Sequence, residues 1–245
     1  MSTNLNYLKE PELENPIAIA GLPGIALIGK MSVEYLIEEL EAEKFAEMTS
    51  DKFPGWVIRE NGLVRDLKVY FYEATLDSLD RDIIIITSDA QASSPKGQYK
   101  MSERIANILS DHGADTFLTM AAYLDSEDEK SEIVGAATNE ELAERIEENG
   151  VELLEGGRIV GMNGLLVSIG AEKEIDGFCL LGTTEGKDND PSSAKNVVAK
   201  FSEIFDIELD LSEFEEELPE LPRFKPPKIK NPSVSDGEKD LSYIR

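Results

Sequence analysis

Cysteine and histidine are almost missing from this sequence, which contains one cysteine, Cys179, and one histidine, His112, among 245 residues. A disulfide within the chain needs two cysteines, so none can form, and a reducing compartment fits. Zinc sites of the usual types combine several cysteine and histidine ligands. One residue of each kind excludes such sites in a single chain, and no motif indicates a cofactor. We therefore predict neither a metal nor a cofactor.

The parts of a nucleophilic catalytic site are missing as well. His112 stands just before Gly113 at the end of a predicted helix, where a cation is favourable, and we interpret it as a helix cap. Ser110 and Asp111 are its neighbours in sequence, and adjacent residues cannot form the spatial arrangement of a triad. With 50 acidic residues, nearly any carboxylate spacing occurs by chance. We predict no catalytic residues and expect that the protein is not an enzyme.

Basic residues and long apolar runs are also scarce. Lysine and arginine together number 24 against 50 acidic residues, which gives a formal net charge of −26. Such a charge repels phosphate backbones and anionic lipid surfaces. The most apolar segment, residues 16–29, is 14 residues long with three glycines and two prolines, too short and too broken to span a bilayer. The N-terminus lacks the features of a signal peptide. We predict a cytoplasmic protein that binds neither nucleic acid nor membrane.

What the sequence does contain is an alternation of short β-rich runs with helical patterns, typical of a sheet flanked by helices. The uninterrupted β-branched run 82–87 predicts a central strand covered on both faces. Asn61-Gly62 predicts a tight turn between antiparallel arms at 56–59 and 64–73, so the sheet is mixed. Helices are predicted at about 25–42, 99–109, 139–148, 191–205 and 211–218.

The composition changes near residue 219. Prolines at 222, 226, 227 and 232 interrupt the chain from there on, and few large apolar residues remain. Such a segment is typical of a flexible or disordered tail. We predict one α/β domain over residues 1–218 and a C-terminal tail over residues 219–245.

The first glycine turn, residues 21–24, opens a motif that is similar to a phosphate-binding loop. Gly24 is followed by Gly29-Lys30 at the spacing of that loop, after a strand and before a helix. Met31, however, stands where a serine or threonine would hold magnesium. We favour a turn packed closely against the sheet, although Gly21 and Gly24 could still present amide groups to an anion at a helix N-terminus.

The second glycine turn, residues 161–164, contains Gly161, Asn163 and Gly164. Glycines and a side-chain amide at the start of a helix could contact a ligand. A tight strand-to-helix turn is the simpler interpretation. Both turns together are the candidate ligand site.

Four segments carry a resemblance to the proteasome assembly chaperone 2 (PAC2) family, whose archaeal members are described as proteasome-assembly-chaperone-like proteins. Their order and spacing match the family over most of residues 10–215. The resemblance implies a three-layer α/β/α fold similar to nucleoside phosphorylases, homo-oligomers, and a role in the assembly of proteasome α-subunits. The four segments are residues 16–29, 114–124, 160–166 and 191–198.

The resemblance also directs attention to the C-terminus. Relatives that dock on the proteasome end in a hydrophobic residue, a tyrosine and any last residue, and this motif inserts between α-subunits. Here the chain ends Leu241-Ser242-Tyr243-Ile244-Arg245, so the tyrosine is third from last instead of second from last. The partner-binding residues that the resemblance implies are Leu241, Tyr243, Ile244 and Arg245. A frayed terminus is the alternative.

Three functions follow as hypotheses. The first is a chaperone or adaptor that binds proteasome α-subunits, or the 20S α-ring, through an oligomeric body and C-terminal tails. The second is an enzyme or sensor for a small phosphorylated or nucleoside-like ligand at the glycine turns, an idea that rests on fold analogy. The third is a partner-binding scaffold without proteasome involvement.

Overall fold

The computed structural model describes residues 3–75, 79, 81–124, 132–186, 189–212 and 214. Within these residues helices alternate with single strands or groups of strands, the longest group running from β3 to β7 without a helix. The strands of the described part are β1 (Asn4–Tyr7), β2 (Ile17–Ala20), β3 (Glu43–Thr49), β4 (Ile58–Glu60), β5 (Leu63–Arg65), β6 (Lys68–Thr75), β7 (Asp82–Ser88), β8 (Thr116–Leu124), β9 (Ile133–Ala137), β10 (Glu152–Leu153) and β11 (Asp176–Thr184). Its α-helices are α1 (Ile28–Glu39), α2 (Pro95–Asp111), α3 (Glu140–Glu148), α4 (Met162–Ala171) and α5 (Pro191–Phe205).

Among the described residues, nine strands form one mixed sheet in the order β1-β3-β6-β7-β2-β8-β11-β9-β10. The middle strands β7, β2, β8 and β11 are parallel to one another. On one flank β6, β3 and β1 continue the sheet by antiparallel pairing. On the other flank β9 is antiparallel to β11, and β10 is parallel to β9. Every residue of β7 is buried, which confirms the interior strand predicted from its β-branched run.

Helices cover both faces of this sheet. On one face α1, α3 and α5 share an apolar cluster with Ile83 and Ile85 of β7. On the other face α2 and α4 pack with Ile84 and Ile86 of the same strand. Successive side chains of a strand point to opposite faces, so the continuous isoleucine run serves both layers. The predicted three-layer α/β/α architecture is confirmed.

Helix starts follow local chemistry. The Ser94 side chain accepts a hydrogen bond from the Gly97 amide, and Pro95 occupies the first turn of α2, so this helix begins earlier than the predicted residue 99. Asn139 caps α3 as predicted by accepting from the Leu142 amide.

Helix α1 starts later than predicted. Ala26 and Leu27 have left-handed φ angles of 50° and 54°, which belong to a short 3₁₀ turn and cannot continue an α-helix. The regular helix therefore begins at Ile28 and ends at Glu39, not near residue 42.

The predicted hairpin is correct at its turn but wrong in its second arm. Strands β4 and β5 pair around Asn61-Gly62 as a separate small sheet. The predicted arm 64–73 is divided, because the chain turns at residues 66–67 and β6 joins the main sheet. Asp89 holds this corner by accepting from the Lys68 amide at 2.8 Å and from the Arg65 guanidinium.

Strand β1 was not predicted. It is short and polar and pairs with β3 at the sheet edge. His112 ends α2 as expected, and its Nε2 lies 3.0 Å from the Tyr7 hydroxyl of β1. The predicted helix 211–218 and the domain boundary at residue 219 lie mostly or wholly outside the described residues. In the part of the chain that the structure describes, no helix has the length and apolarity needed to cross a membrane.

Candidate functional site

The structure brings the two glycine turns into contact, although 141 positions separate Leu22 from Asn163. The Asn163 side chain is buried, and its Oδ1 accepts from the Leu22 amide at 3.2 Å while its Nδ2 donates to the Leu22 carbonyl at 3.3 Å. Gln91 adds a second link. Its Nε2 donates to the Pro23 carbonyl at 2.8 Å, and its Oε1 accepts from the Met162 amide at 2.7 Å. Both side-chain amides therefore tie the turns to each other.

The glycines of the two turns have different surroundings. A Cβ at Gly21 would lie 1.9 Å from the carbonyl oxygen of Gly29, and one at Gly164 would lie 2.8 Å from a neighbouring side chain. Gly161 has a φ of 95°, which favours glycine. At Gly24 the nearest heavy atom among the described residues would be 3.8 Å from a Cβ. Close packing thus accounts for Gly21 and Gly164, and the positive φ angle accounts for Gly161. Ligand binding stays a prediction for Gly21, Gly24, Gly161, Asn163 and Gly164.

The lysine of the loop-like motif is paired with an acid. Lys30 Nζ lies 2.5 Å from Glu34 Oε1, one helical turn further along α1. The same ammonium donates to the Ser88 carbonyl at 3.2 Å. In a phosphate-binding loop this lysine reaches the phosphates, whereas here it joins α1 to the end of β7. This geometry supports the structural interpretation of the motif.

A cavity of about 810 Å³ opens beside the first glycine turn. Helix α1 packs on β7, β2 and β8. Beside it, the space over β3 and β6 is lined on its other side by five residues of the segment 54–65, around the β4–β5 hairpin. We name this space the β6 cavity. Its lining combines aromatic, acidic and basic side chains with parts of the first glycine turn. The lining residues are Pro23, Gly24, Leu27, Lys30, Glu34, Lys44, Glu47, Pro54, Trp56, Ile58, Glu60, Arg65, Lys68, Tyr70, Tyr72, Thr87, Asp89, Ala90 and Gln91.

The strand side of the β6 cavity carries two lysines and one carboxylate between them. Lys68 Nζ bonds to Glu47 Oε2, and Lys44 Nζ lies 3.5 Å from Glu47 Oε1. Burial alone would raise the pKa of the Glu47 carboxyl, but hydrogen bonding and charge from Lys68, together with Lys44, lower it on balance. Glu47 is therefore ionised at neutral pH, and two ammonium groups share one negative charge.

Two tyrosines stand beside these lysines. Tyr70 and Tyr72 are two positions apart on β6, and the Lys44 ammonium lies 4.6 Å and 5.7 Å from their ring centroids, within the range of a cation–π contact. Burial raises the pKa of Tyr72 to about 12, and burial followed by the charge of Asp89 raises that of Tyr70. Both hydroxyls are protonated at neutral pH.

At the hairpin end of the cavity an arginine is held by two carboxylates. Arg65 donates to Asp89 through Nη1 at 2.7 Å and Nη2 at 3.1 Å, a bidentate arrangement. It also donates through Nη2 to Glu60 at 2.9 Å. The hydrogen bonds to Asp89 are the main cause that raises the pKa of Arg65. This cluster fixes the hairpin to the end of β7.

Sequence reasoning identified Gly24 and Lys30 at the margin of the β6 cavity but missed the residues of its strand side, although a pattern for them exists. Lys68, Tyr70 and Tyr72 alternate with buried Val69 and Phe71 along β6. A period of two with polar and aromatic residues on one side indicates a strand face that no helix covers.

The four tail residues implied by the resemblance, Leu241, Tyr243, Ile244 and Arg245, lie outside the described residues, and their role stays a prediction.

The single cysteine is buried beneath the second glycine turn, and its Sγ accepts a hydrogen bond from Thr119 Oγ1 at 3.1 Å. Burial raises the pKa of the Cys179 thiol to about 11. The thiolate is the reactive form, so we expect a chromogenic disulfide reagent at about pH 8 to label the folded protein at least about a hundredfold more slowly than the unfolded protein. Labelling in buffer and in denaturant measures this ratio. Equal rates would contradict the buried neutral thiol.

Comparison with known proteins agrees with the fold. The PAC2 family model matches residues 18–222. Protein MJ1210 of Methanocaldococcus jannaschii is 32% identical over 252 residues, covering 95% of this chain and 93% of that protein. The crystal structure of Pyrococcus furiosus PbaB, an archaeal proteasome activator, is similar with a TM-score of 0.81 and 34% identity, covering 89% of this chain and 94% of that one. The crystal structure of Pyrococcus furiosus PbaA, an archaeal homolog of proteasome-assembly chaperone, is similar with a TM-score of 0.73 and 26% identity, covering 87% of this chain and 86% of that one. The chain belongs to the PAC2 family.

Proposed function

We propose that this protein assists the assembly of the proteasome α-ring, or docks on it, through a homo-oligomeric α/β body and C-terminal tails. The observation that carries the proposal is the likeness to PbaB, a proteasome activator, which extends over most of both chains. The likeness to PbaA adds an assembly-chaperone homologue. Activation and assembly both require a surface that binds proteasome subunits.

Exposed apolar side chains support such contacts. Leu63 and Val64 of the hairpin are 75% and 70% exposed, although the chain as a whole is strongly acidic. Ile25 and Leu124 are also exposed, and both approach Gly186 at the carboxyl end of the parallel strands. Grouped apolar side chains at a protein surface mark sites of association. These residues are our candidates for contacts between copies or with α-subunits.

The length of the tail suits docking at a distance. Residues 219–245 number 27, which corresponds to about 80–95 Å when fully extended and about 26–31 Å as a flexible coil. Several tails on one oligomer would act together, because the first docked tail holds the others at high effective concentration. Weak individual contacts by Leu241, Tyr243 and Ile244 then combine into tight binding.

Removal of the last four residues, Ser242 to Arg245, should weaken binding to purified α-rings by about tenfold or more, because every tail loses its aromatic end. The substitution Tyr243→Ala should act in the same direction. Ser235→Ala, in the same tail but outside the motif, is the matched control and should bind like wild type. Co-sedimentation of each variant with α-rings measures binding.

The same sedimentation experiments distinguish the parts of the proposal. Full-length and truncated protein should both sediment above the 27.1 kDa monomer, because the tail contributes little to the body. Equal binding by both would eliminate the tail and leave the folded surface as the interface. Failure of both to bind would overturn the proteasome function and favour a scaffold with another partner, and a monomer alone would contradict the oligomer.

We infer further that the protein is not an enzyme and acts in the cytoplasm. The His112 ring contacts Tyr7, and Cys179 is a buried neutral thiol, so neither is placed as a nucleophile or its base. The cytoplasmic location is inferred from the likeness to proteasome-associated relatives and from the sequence expectations.

A further inference from the structure

The strand side of the β6 cavity holds an excess of positive charge in an acidic protein. The other bases of the lining are matched by acids, since Lys30 pairs with Glu34 and Arg65 is shared by two carboxylates. Lys44 and Lys68 instead share one carboxylate, Glu47, as their ion-pair partner within the part of the chain that the structure describes. Lys44, Lys68 and Glu47 therefore sum to one positive charge on the strand side. The second carboxylate at Arg65 balances it at the hairpin end, so the lining as a whole is neutral in a chain whose formal charge is −26.

We propose that the β6 cavity binds a small ligand that carries an anionic group, phosphate or carboxylate, next to a planar ring. The anion lies between the Lys44 and Lys68 ammonium groups, and the ring lies against the aromatic part of the lining. The site lies mainly on β3 and β6, borders the first glycine turn at Pro23 and Gly24 and is not lined by the second, and it does not depend on the proteasome function.

The positions of the two lysines carry the anionic half of the proposal. Both stand on neighbouring strands of one sheet face, and both already point their ammonium groups at a single carboxylate. Each ammonium has three N–H donors. The trio of Lys44, Lys68 and Glu47 can therefore bind a further anion while both lysines keep their hydrogen bonds to Glu47. Partial burial strengthens these charge-assisted hydrogen bonds relative to those in bulk water.

The aromatic side chains carry the other half. Tyr70 and Tyr72 form part of the floor, and Trp56 and Ile58 from the segment around β4 extend the apolar lining. Planar rings stack on such surfaces in offset or edge-to-face arrangements. A volume of about 810 Å³ lies within the range of about 300–1,000 Å³ typical of small-molecule pockets.

The only tryptophan of the chain, Trp56, lines the cavity, so its fluorescence reports on binding there. Adenosine 5′-monophosphate and N-acetyltyrosine are the two probes, with a phosphate and a carboxylate respectively. We expect at least one of them to change the Trp56 fluorescence and to give a saturable isotherm in calorimetry. Adenosine has the ring without the anion, and inorganic phosphate is the anion without the ring. Each should bind at least about tenfold more weakly than adenosine 5′-monophosphate. The probe that binds more tightly is the one used with the variants.

Two substitutions with opposite expected effects test the assignment. Lys68→Gln removes one ammonium and should weaken binding of that probe by about tenfold. Glu47→Gln removes the competing negative charge and should strengthen binding severalfold. Lys100→Gln, exposed on α2 at the opposite face of the sheet, is the matched control and should leave binding unchanged.

A merely structural role of the trio would move both variants in the same direction, and thermal unfolding of each variant shows that it is folded. Weaker binding by Glu47→Gln, unchanged binding by Lys68→Gln, or no binding of either probe to the wild-type protein would each overturn the proposal. None of these results would affect co-sedimentation with α-rings, so failure of the ligand site and failure of the proteasome function are distinguishable.

Discussion

Gly29→Ala is expected to destabilise the protein by about 3–5 kcal/mol, enough to remove much of the stability of a typical domain. A Cβ at this position would lie 2.0 Å from the carbonyl oxygen of Met120. That oxygen belongs to the backbone of β8, which is paired with β11 at this point and cannot retreat without breaking the sheet. The glycine therefore permits α1 to lie directly on the sheet.

Gly24→Ala is the matched control, because it lies in the same motif and changes the same atom. Gly24 is extended, with φ of −154°, and its nearest neighbour would be 3.8 Å from the new Cβ among the described residues. We expect an effect within about 0.5 kcal/mol. Urea unfolding of both variants measures the difference, and equal stabilities would remove close packing as the reason for Gly29.

The elements best predicted from the sequence are those whose reasons are local. Helix α5 has the predicted bounds because Pro191 occupies its first turn and Asp190 caps it by accepting from the Ser193 amide. Strand β7 was recognised because burial on both faces leaves a continuous β-branched run. Likewise the Asn61-Gly62 turn depends on its own two residues.

The errors arise where a distant residue decides the local structure. The division of the predicted strand 64–73 depends on Asp89, which lies 24 positions from Arg65. The contact between the glycine turns depends on Asn163 and Leu22, which no local pattern relates. The β6 cavity lies beside the strands on which α1 packs, β7, β2 and β8, and the position of a helix over a sheet is a tertiary property. For these reasons the glycines were identified from the sequence but the cavity was not.

Asp89→Ala is the second substitution with a large expected effect. The Asp89 carboxylate is only 10% exposed, and it accepts hydrogen bonds from the Lys68 amide at 2.8 Å and the Tyr70 hydroxyl at 3.1 Å, in addition to the bidentate Arg65. Removal leaves the Lys68 amide without its acceptor and Arg65 with Glu60 as its remaining carboxylate. Because Arg65 is 31% exposed, water compensates part of the loss. We expect a destabilisation of about 2–4 kcal/mol.

The same substitution should also change the hairpin locally, because Asp89 is the residue that joins it to the main sheet. Limited proteolysis is expected to cut near Asn61-Gly62 severalfold faster in Asp89→Ala than in wild type, since release of Arg65 lets strands β4 and β5 open as a unit. Asp66→Ala is the matched control. This aspartate is exposed at the same corner, and only its backbone carbonyl, which the substitution keeps, accepts from Arg65. Global destabilisation without faster cutting at the hairpin would show that other contacts hold it, whereas faster cutting in both variants would indicate a general effect of charge on the protease.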